Sequence, residues 1–229
     1  MTRSIFLISS RGVRLTLALI ALLLAAVAMP AAAQNDVSVT AILSPQSGCA
    51  LTATENMSVR IFNYGTTLPA ATSFNASYTI NAGVPVVELI TLGSPLTSNS
   101  AFTYTFTTQA NLSVPGIYTF GTSVSLAGDV SPANNSFGGY VVTNSAPSVG
   151  GTIAASPPSG SSGTLTLTGN TGNVVEWEES DDGGLRWFVL SEQSTTQAFA
   201  NLRTTAKFRA RVQNGSCPDA LSNVATVTP

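Results

Sequence analysis

Apolar residues recur at every second position in short runs along most of this chain, and that period suits a strand with one buried face. Val37, Val39 and Ala41 alternate with polar neighbours, and Met57, Val59 and Ile61 do so against Ser58 and Arg60. The pattern returns in Phe74, Ala76, Tyr78 and Ile80, in Phe102, Tyr104 and Phe106, and from Tyr118 through Phe120, Thr122 and Val124 to Leu126. Turn residues bound these runs: Asn63-Tyr64-Gly65, Asn81-Ala82-Gly83, Val114-Pro115-Gly116 and Ser131-Pro132-Ala133-Asn134. Residues 36–142 therefore read as seven or eight strands with one face of each sheet buried. A second, smaller series begins at Gly151, with Leu165 and Leu167, Val175 and Trp177, Trp187 to Val189, Phe208 to Val212, and Val224 to Val227. Beyond the first 33 residues no stretch has a helical period. The fold class expected is all-β, as two antiparallel β-sandwiches in tandem.

The first 33 residues read as a signal peptide helix rather than part of this fold. Arg3, Arg11 and Arg14 precede an apolar run from Leu15 to Met29; Pro30 then interrupts it, and Ala31-Ala32-Ala33 supplies small side chains for a peptidase. Cleavage is expected between Ala33 and Gln34. A membrane anchor is the rival, since Leu15 to Ala33 comes close to crossing a bilayer core of roughly 30 Å. Pro30 and the small residues favour cleavage, which leaves no membrane span. No Cys follows the cleavage point, so a lipid anchor is not expected. The domain boundaries expected are 34–142 for the first sandwich, 143–150 for a Pro-, Ser- and Gly-containing linker, and 151–229 for the second.

Three of the nine basic residues lie in that leader, leaving six against eleven acidic ones. A mildly acidic chain lacks the basic stripe that nucleic acid requires. The absence of histidine removes Ser-His-Asp and Cys-His catalysis and histidine-ligated metals. No catalytic, cofactor-binding or metal-ligating residue is expected. The two cysteines, Cys49 and Cys217, fall one in each sandwich. Three fates are open to them in an oxidising compartment: a bridge between the sandwiches, free thiols, or bonds to another chain.

Two groups of residues carry a family resemblance. The first comprises Ser44-Pro45-Gln46-Ser47-Gly48-Cys49, Asn63-Tyr64-Gly65-Thr66, Ala110 to Tyr118, and Gly128-Asp129-Val130-Ser131-Pro132-Ala133-Asn134-Asn135. This segment resembles the cell-adhesion-related domain of bacteria (CARDB), as found in repeats of long surface proteins exported by the type IX route. The resemblance implies an immunoglobulin-like sandwich. The second group, Ser162 to Gly172, Val175-Glu176-Trp177-Glu178, Asp182-Gly183-Gly184, Trp187 and Gln213 to Pro218, resembles the immunoglobulin-like repeats that accompany that domain. Those repeats usually pair their late cysteine with one just before the Gly-Thr-Leu strand. Here that stretch, Ala155 to Gly160, has no Cys. A Cys49–Cys217 bridge thus becomes the pairing to test.

Several motifs have a chemical and a structural reading. Ser180-Asp181-Asp182-Gly183-Gly184-Leu185-Arg186-Trp187 fits the S-x-D-x-G-x-x-W Asp-box of sialidases and other secreted β proteins. Its physical content is a turn, with Asp capping backbone NH groups and Gly taking positive φ. Glu176 and Glu178 stand roughly 6–7 Å apart on one strand face, a spacing that superficially suits glycosidase carboxylates. Lys207, Arg209 and Arg211 alternate likewise on a strand that an immunoglobulin-like topology places alongside. An exposed ion ladder, at about 0.2–1 kcal/mol per pair, is the simpler account. Glu179, Asp181 and Asp182 lack the ligand spacing of a calcium loop and read as a solvated turn. Trp177 is expected in the core. Trp187 and Phe188, adjacent on a strand, face opposite ways, so one of them is a candidate contact aromatic. N-x-S/T sites at Asn56, Asn75, Asn111, Asn134 and Asn214 reflect abundant Asn, Ser and Thr.

The expected function is that of a secreted or cell-surface structural and adhesion protein, without enzymatic activity or cofactor. It would act as a spacer and contact module for other surface proteins or glycans, with self-assembly through open sheet edges as a further option. The alternative is a carbohydrate-binding accessory module of an extracellular system.

Overall fold

A computed structural model of the protein describes residues 34–229. The expected signal peptide, residues 1–33, with its cleavage site after Ala33, lies outside the described residues. Eight strands build the first sandwich: β1 (Val37–Ser44), β2 (Gly48–Cys49), β3 (Ser58–Asn63), β4 (Ser73–Ile80), β5 (Val86–Thr91), β6 (Ser100–Thr105), β7 (Gly116–Ser125) and β8 (Ser136–Ser145). They form a three-stranded sheet ordered β1-β3-β6 and a five-stranded sheet ordered β2-β8-β7-β4-β5. Every pairing is antiparallel except β2 with β8. A single turn of 3-10 helix, Pro132–Asn134, leads into β8.

The alternation seen in the sequence decides which side chains meet. Val37, Val39, Val59 and Ile61 from the smaller sheet pack against Phe74, Ala76, Tyr78, Phe120, Val124 and Val142 from the larger, and all are buried. Each such large side chain contributes about 1.5–3 kcal/mol on leaving water. Tyr78 keeps its polar end satisfied by donating to the carbonyls of Thr108 (3.0 Å) and Gln109 (3.2 Å). Glu88 closes the side of the sandwich where β5 and β6 are both edge strands. Its carboxylate accepts hydrogen bonds from the Tyr104 hydroxyl (2.7 Å), Thr107 N (3.0 Å), Thr107 Oγ1 (2.8 Å) and Thr108 N (2.8 Å).

The second sandwich repeats the three-plus-five plan. Its strands are β9 (Thr152–Ser156), β10 (Gly163–Thr168), β11 (Asn173–Ser180), β12 (Phe188–Leu190), β13 (Thr196–Phe199), β14 (Ala206–Gln213), β15 (Ala220–Leu221) and β16 (Ala225–Val227). One sheet runs β13-β10-β9 and the other β12-β11-β14-β15, with β16 pairing along the lower part of β14. Trp177 fills the centre among Leu165, Leu167, Phe208, Ala210 and Val212, and its Nε1 donates to Ser194 O at 2.9 Å. The expected core role of Trp177 is the observed one. The expected linker is shorter than its sequence range: β8 runs on to Ser145, and Val149 already pairs with Thr171.

Candidate functional site at the junction of the two sandwiches

The junction is built from the far end of β8. Asn144 and Ser145 pair in parallel with Gly48 and Cys49 of β2, and Ala50 N donates to Ser145 O at 2.9 Å. Asn144 is a buried amide with all its chemistry engaged. Its Oδ1 accepts from Leu51 N (2.8 Å), and its Nδ2 donates to Leu112 O (2.6 Å) and Leu51 O (3.4 Å). These bonds fix the loop that carries Cys49 against the strand leaving the first sandwich.

From the other side comes the turn after β14. Cys217 N donates to Asn214 O at 3.0 Å, and Gln213 Nε2 to Cys217 O at 3.0 Å. Gly215 sits in this turn at φ 55°, where glycine is favoured. A Cβ there would lie 2.4 Å from Ser145 Oγ, so a larger residue would also have to turn that hydroxyl aside. Asn214 N donates to Ser148 Oγ at 2.9 Å and Asn214 Nδ2 to Ala146 O at 2.8 Å. Cys49 and Cys217 are joined, with an S–S distance of 2.07 Å and Cα atoms 4.8 Å apart, across 168 positions of sequence. In the chain-entropy account a loop of that length restricts the unfolded chain by about 5 kcal/mol, an upper figure for a chain of two folding units.

The connecting segment therefore has little freedom. Only residues 146–148 separate β8 from the Val149–Thr171 bridge, whose two backbone bonds measure 3.1 and 3.0 Å. Covalent and hydrogen-bonded ties converge on one short stretch of chain. The sequence placed Cys49 and Cys217 in different sandwiches but carried no sign of Asn144, Ser148 or Gly215 as their supports. An Asn-Gly pair before a cysteine, at Asn214-Gly215, was the one local clue to a tight turn there.

A second constellation lies on the outer face of the larger sheet of the second sandwich. The register sets Glu176 opposite Arg211, Glu178 opposite Arg209, and Ser180 opposite Lys207. Glu178 pairs with Arg209 and lies 3.3 Å from Arg211 Nη2. Arg211 Nη1 also meets Asp219 at 2.8 Å, and its Nε sits 2.8 Å from Glu176 Oε1, off the hydrogen-bond axis. The hydrogen bonds from Arg211 to Asp219 and then Glu178 raise the guanidinium's already high pKa. The exposed ladder expected from the sequence is corrected on two points. Glu178 is only 5 % exposed, lying between Arg209 and Arg211. Lys207 joins no carboxylate; its Nζ donates to Gly183 O at 2.8 Å.

Around the Asp-box the bonds are those of a turn. Asp182 Oδ1 accepts from Ser180 Oγ, Leu185 N and Arg186 N, each at 2.9 Å, while Gly184 N donates to Ser180 Oγ at 2.8 Å. The Arg186 backbone bond is the largest influence on the Asp182 carboxyl, which is held below its ordinary pKa despite some desolvation. Desolvation, then the charge of Asp181, pushes the Glu179 carboxyl up. Of the two candidate contact aromatics, Trp187 has one face covered by Arg209, whose guanidinium carbon is 4.0 Å from the ring centroid. Phe188 is 57 % exposed but sits in the row of Glu179 and Phe208, on the opposite side of the sheet. The two rings do not share a platform.

Comparisons with known proteins bear on the two halves differently. A family described as a domain of unknown function (DUF8696) matches residues 149–229, the whole second sandwich. No curated protein matches the chain. Among solved structures, the CARDB domain of a Pyrococcus furiosus protein, solved in complex with di-metal ions, is similar at 16 % identity with a TM-score of 0.36; the match covers 50 % of this chain and 97 % of that one. Fibronectin(III)-like modules of Clostridium thermocellum CbhA are 15 % identical with a TM-score of 0.31, over 83 % of this chain and 91 % of theirs. A tetra-tandem repeat from the extending region of a large adhesion protein is 15 % identical with a TM-score of 0.34, over 84 % of this chain and 48 % of that one. Among the described residues no helix is long and apolar enough to cross a membrane.

Proposed function

We propose that this chain is a secreted or cell-surface structural and adhesion protein, non-catalytic, that acts as a stiff spacer and contact module for other surface proteins or glycans. The observation that carries the reading is the junction. A disulfide and the hydrogen bonds from Asn214 to Ser148 and Ala146 tie the second sandwich to the chain leaving the first. A disulfide between modules belongs to an oxidising compartment, which supports export. A stiff connection keeps a contact surface at a set distance and raises the effective concentration of neighbouring contacts, so weak binding sums to firm attachment. The contact surfaces offered differ in character. The outer face of the first sandwich's larger sheet carries Asn75, Ser77, Thr79, Ser123, Ser125 and Ser136 and no charge, whereas the second sandwich presents the paired charges described above. Export and attachment are tested together. Intact cells that make the chain are treated with external protease and assayed for attachment to a solid surface, beside cells lacking it. The chain should be cut from outside, and its loss should lower attachment. A chain that is protected inside the cell, or whose loss leaves attachment unchanged, refutes the reading.

A further inference from the structure

We propose that two copies of this chain associate through β5, joining their five-stranded sheets edge to edge about a two-fold axis at Glu88. The proposal rests on the reading above that open sheet edges serve as contact surfaces, and it names the edge, the register and the partner, a second copy of the chain.

The first support is that β5 is an unguarded edge. Strands that end a sheet are usually blunted by shortness, a bulge, lysine or an inward proline. Most other edges here are guarded: β1 carries two register shifts, β2 and β15 are two residues long, β12 is three, and β9 runs into Pro157 and Pro158. β6 shows solvent a polar outer row, Thr103 and Thr105. β5 has six residues in unbroken register with β4, no lysine and no internal proline. Its outward side chains are Val87 and Leu89, 58 % and 66 % exposed.

The second support is self-complementarity. In an antiparallel pair about a two-fold axis, facing residues must have matching backbone directions, so only registers of even offset are allowed. With the axis at Glu88, Val87 of one copy faces Leu89 of the other on the outer surface, and Val86 faces Ile90 on the inner one. Shifting the axis to Leu89 would set Val87 against Thr91 and Glu88 against Ile90, leaving Leu89 against Leu89 as the one apolar pair within the strand. The only charge in the strand does not oppose the pairing. Glu88 turns its carboxylate into its own sandwich, where Tyr104, Thr107 and Thr108 saturate it.

The third support is an open slot of about 300 Å³ beside the strand, with Leu89, Leu92, Leu96 and Phe102 in its lining together with the polar Thr91 and Ser94. Continued past the ends of the strand, the Glu88-centred register would bring Val84 of the partner copy to the level of Leu92 at this slot. Val84 is 92 % exposed in the single chain. The strand therefore supplies the ladder, and the bend just before it, across Pro85, supplies the side chain nearest the slot.

Sedimentation velocity on the purified chain, from low to high micromolar concentration, is expected to show a monomer–dimer equilibrium. Val87→Lys with Leu89→Lys should abolish the dimer, while Thr103→Lys on β6 should leave it intact. A chain that stays monomeric throughout, or a dimer that survives both β5 lysines, overturns the proposal. Register is read by disulfide trapping. A mixture of Val87→Cys and Leu89→Cys copies should cross-link to heterodimers; Leu89→Cys linking only to itself would contradict the Glu88 axis. Surface exposure and attachment are measured on cells and hold for a monomer equally well, so failure here is distinct from failure of the spacer reading.

Discussion

Glu88 shows how much a single side chain can organise in a domain with few charges. Desolvation alone would push its carboxyl up, but the Thr107 and Thr108 amides and the Tyr104 and Thr107 hydroxyls outweigh it and lower the pKa from 4.5 to about 2. The reciprocal effect, after burial, pushes the Tyr104 hydroxyl up to about 12. A carboxyl with a lower pKa folded than unfolded stabilises the fold fully above about 4.5 and loses that contribution as pH falls towards 2. Glu88→Gln should therefore lower the urea midpoint at neutral pH, and the gap to the parent should close steadily below pH 4.5. A gap that stays constant across that range would show that the charge is not what matters. None of this was legible in the sequence, where Glu88 was one of the few charges of the first half. Its partners Tyr104, Thr107 and Thr108 lie 16 to 20 positions away and come to it only through folding. Asn144 was hidden for a similar reason: it fell inside a segment whose Pro, Ser and Gly content reads as a linker.

Strands with clean alternation were legible one by one, among them β3, β4, β7 and β14, because each buries one face and wets the other. The strands that escaped notice break that rule for identifiable reasons. β5 is a near-continuous apolar run, β8 is interrupted by Gly138 and Gly139 where the register slips, and β15 has two residues. Pairing of β11 with β14 was foreseen, but the burial of Glu178 was not, since Glu176 and Glu178 look equivalent in the sequence. They differ in their neighbours: Glu178 lies against both Arg209 and Arg211, with Trp187 packed on Arg209, whereas Glu176 meets Arg211 alone. Arg209→Ala should cost about 3 kcal/mol at most, since a buried carboxylate loses its nearest cation and the indole loses its cover. Arg211, 3.3 Å away, limits the loss. Glu176→Ala, at a more exposed position, should cost under about 1 kcal/mol. Chemical denaturation of the two variants checks this, and equal costs would contradict the asymmetry.

Two sandwiches in tandem follow from the alternation and the turn residues, and so the architecture was readable before any coordinate. What the sequence could not supply is how the two sandwiches meet, because that depends on three places far apart in the chain: the β2 loop, the end of β8 and the turn after β14. Their convergence turns the expected linker into a tied joint, and the proposed spacer role requires that joint to be stiff. Small-angle X-ray scattering tests this most directly, on the Leu89→Lys chain at high dilution, before and after replacing Cys49 and Cys217 with Ser. The account predicts that the disulfide-bonded chain scatters as one fixed arrangement of two sandwiches and that removing the bridge broadens its distribution of interatomic distances. Scattering from the bonded chain that requires many arrangements of the two sandwiches would contradict it.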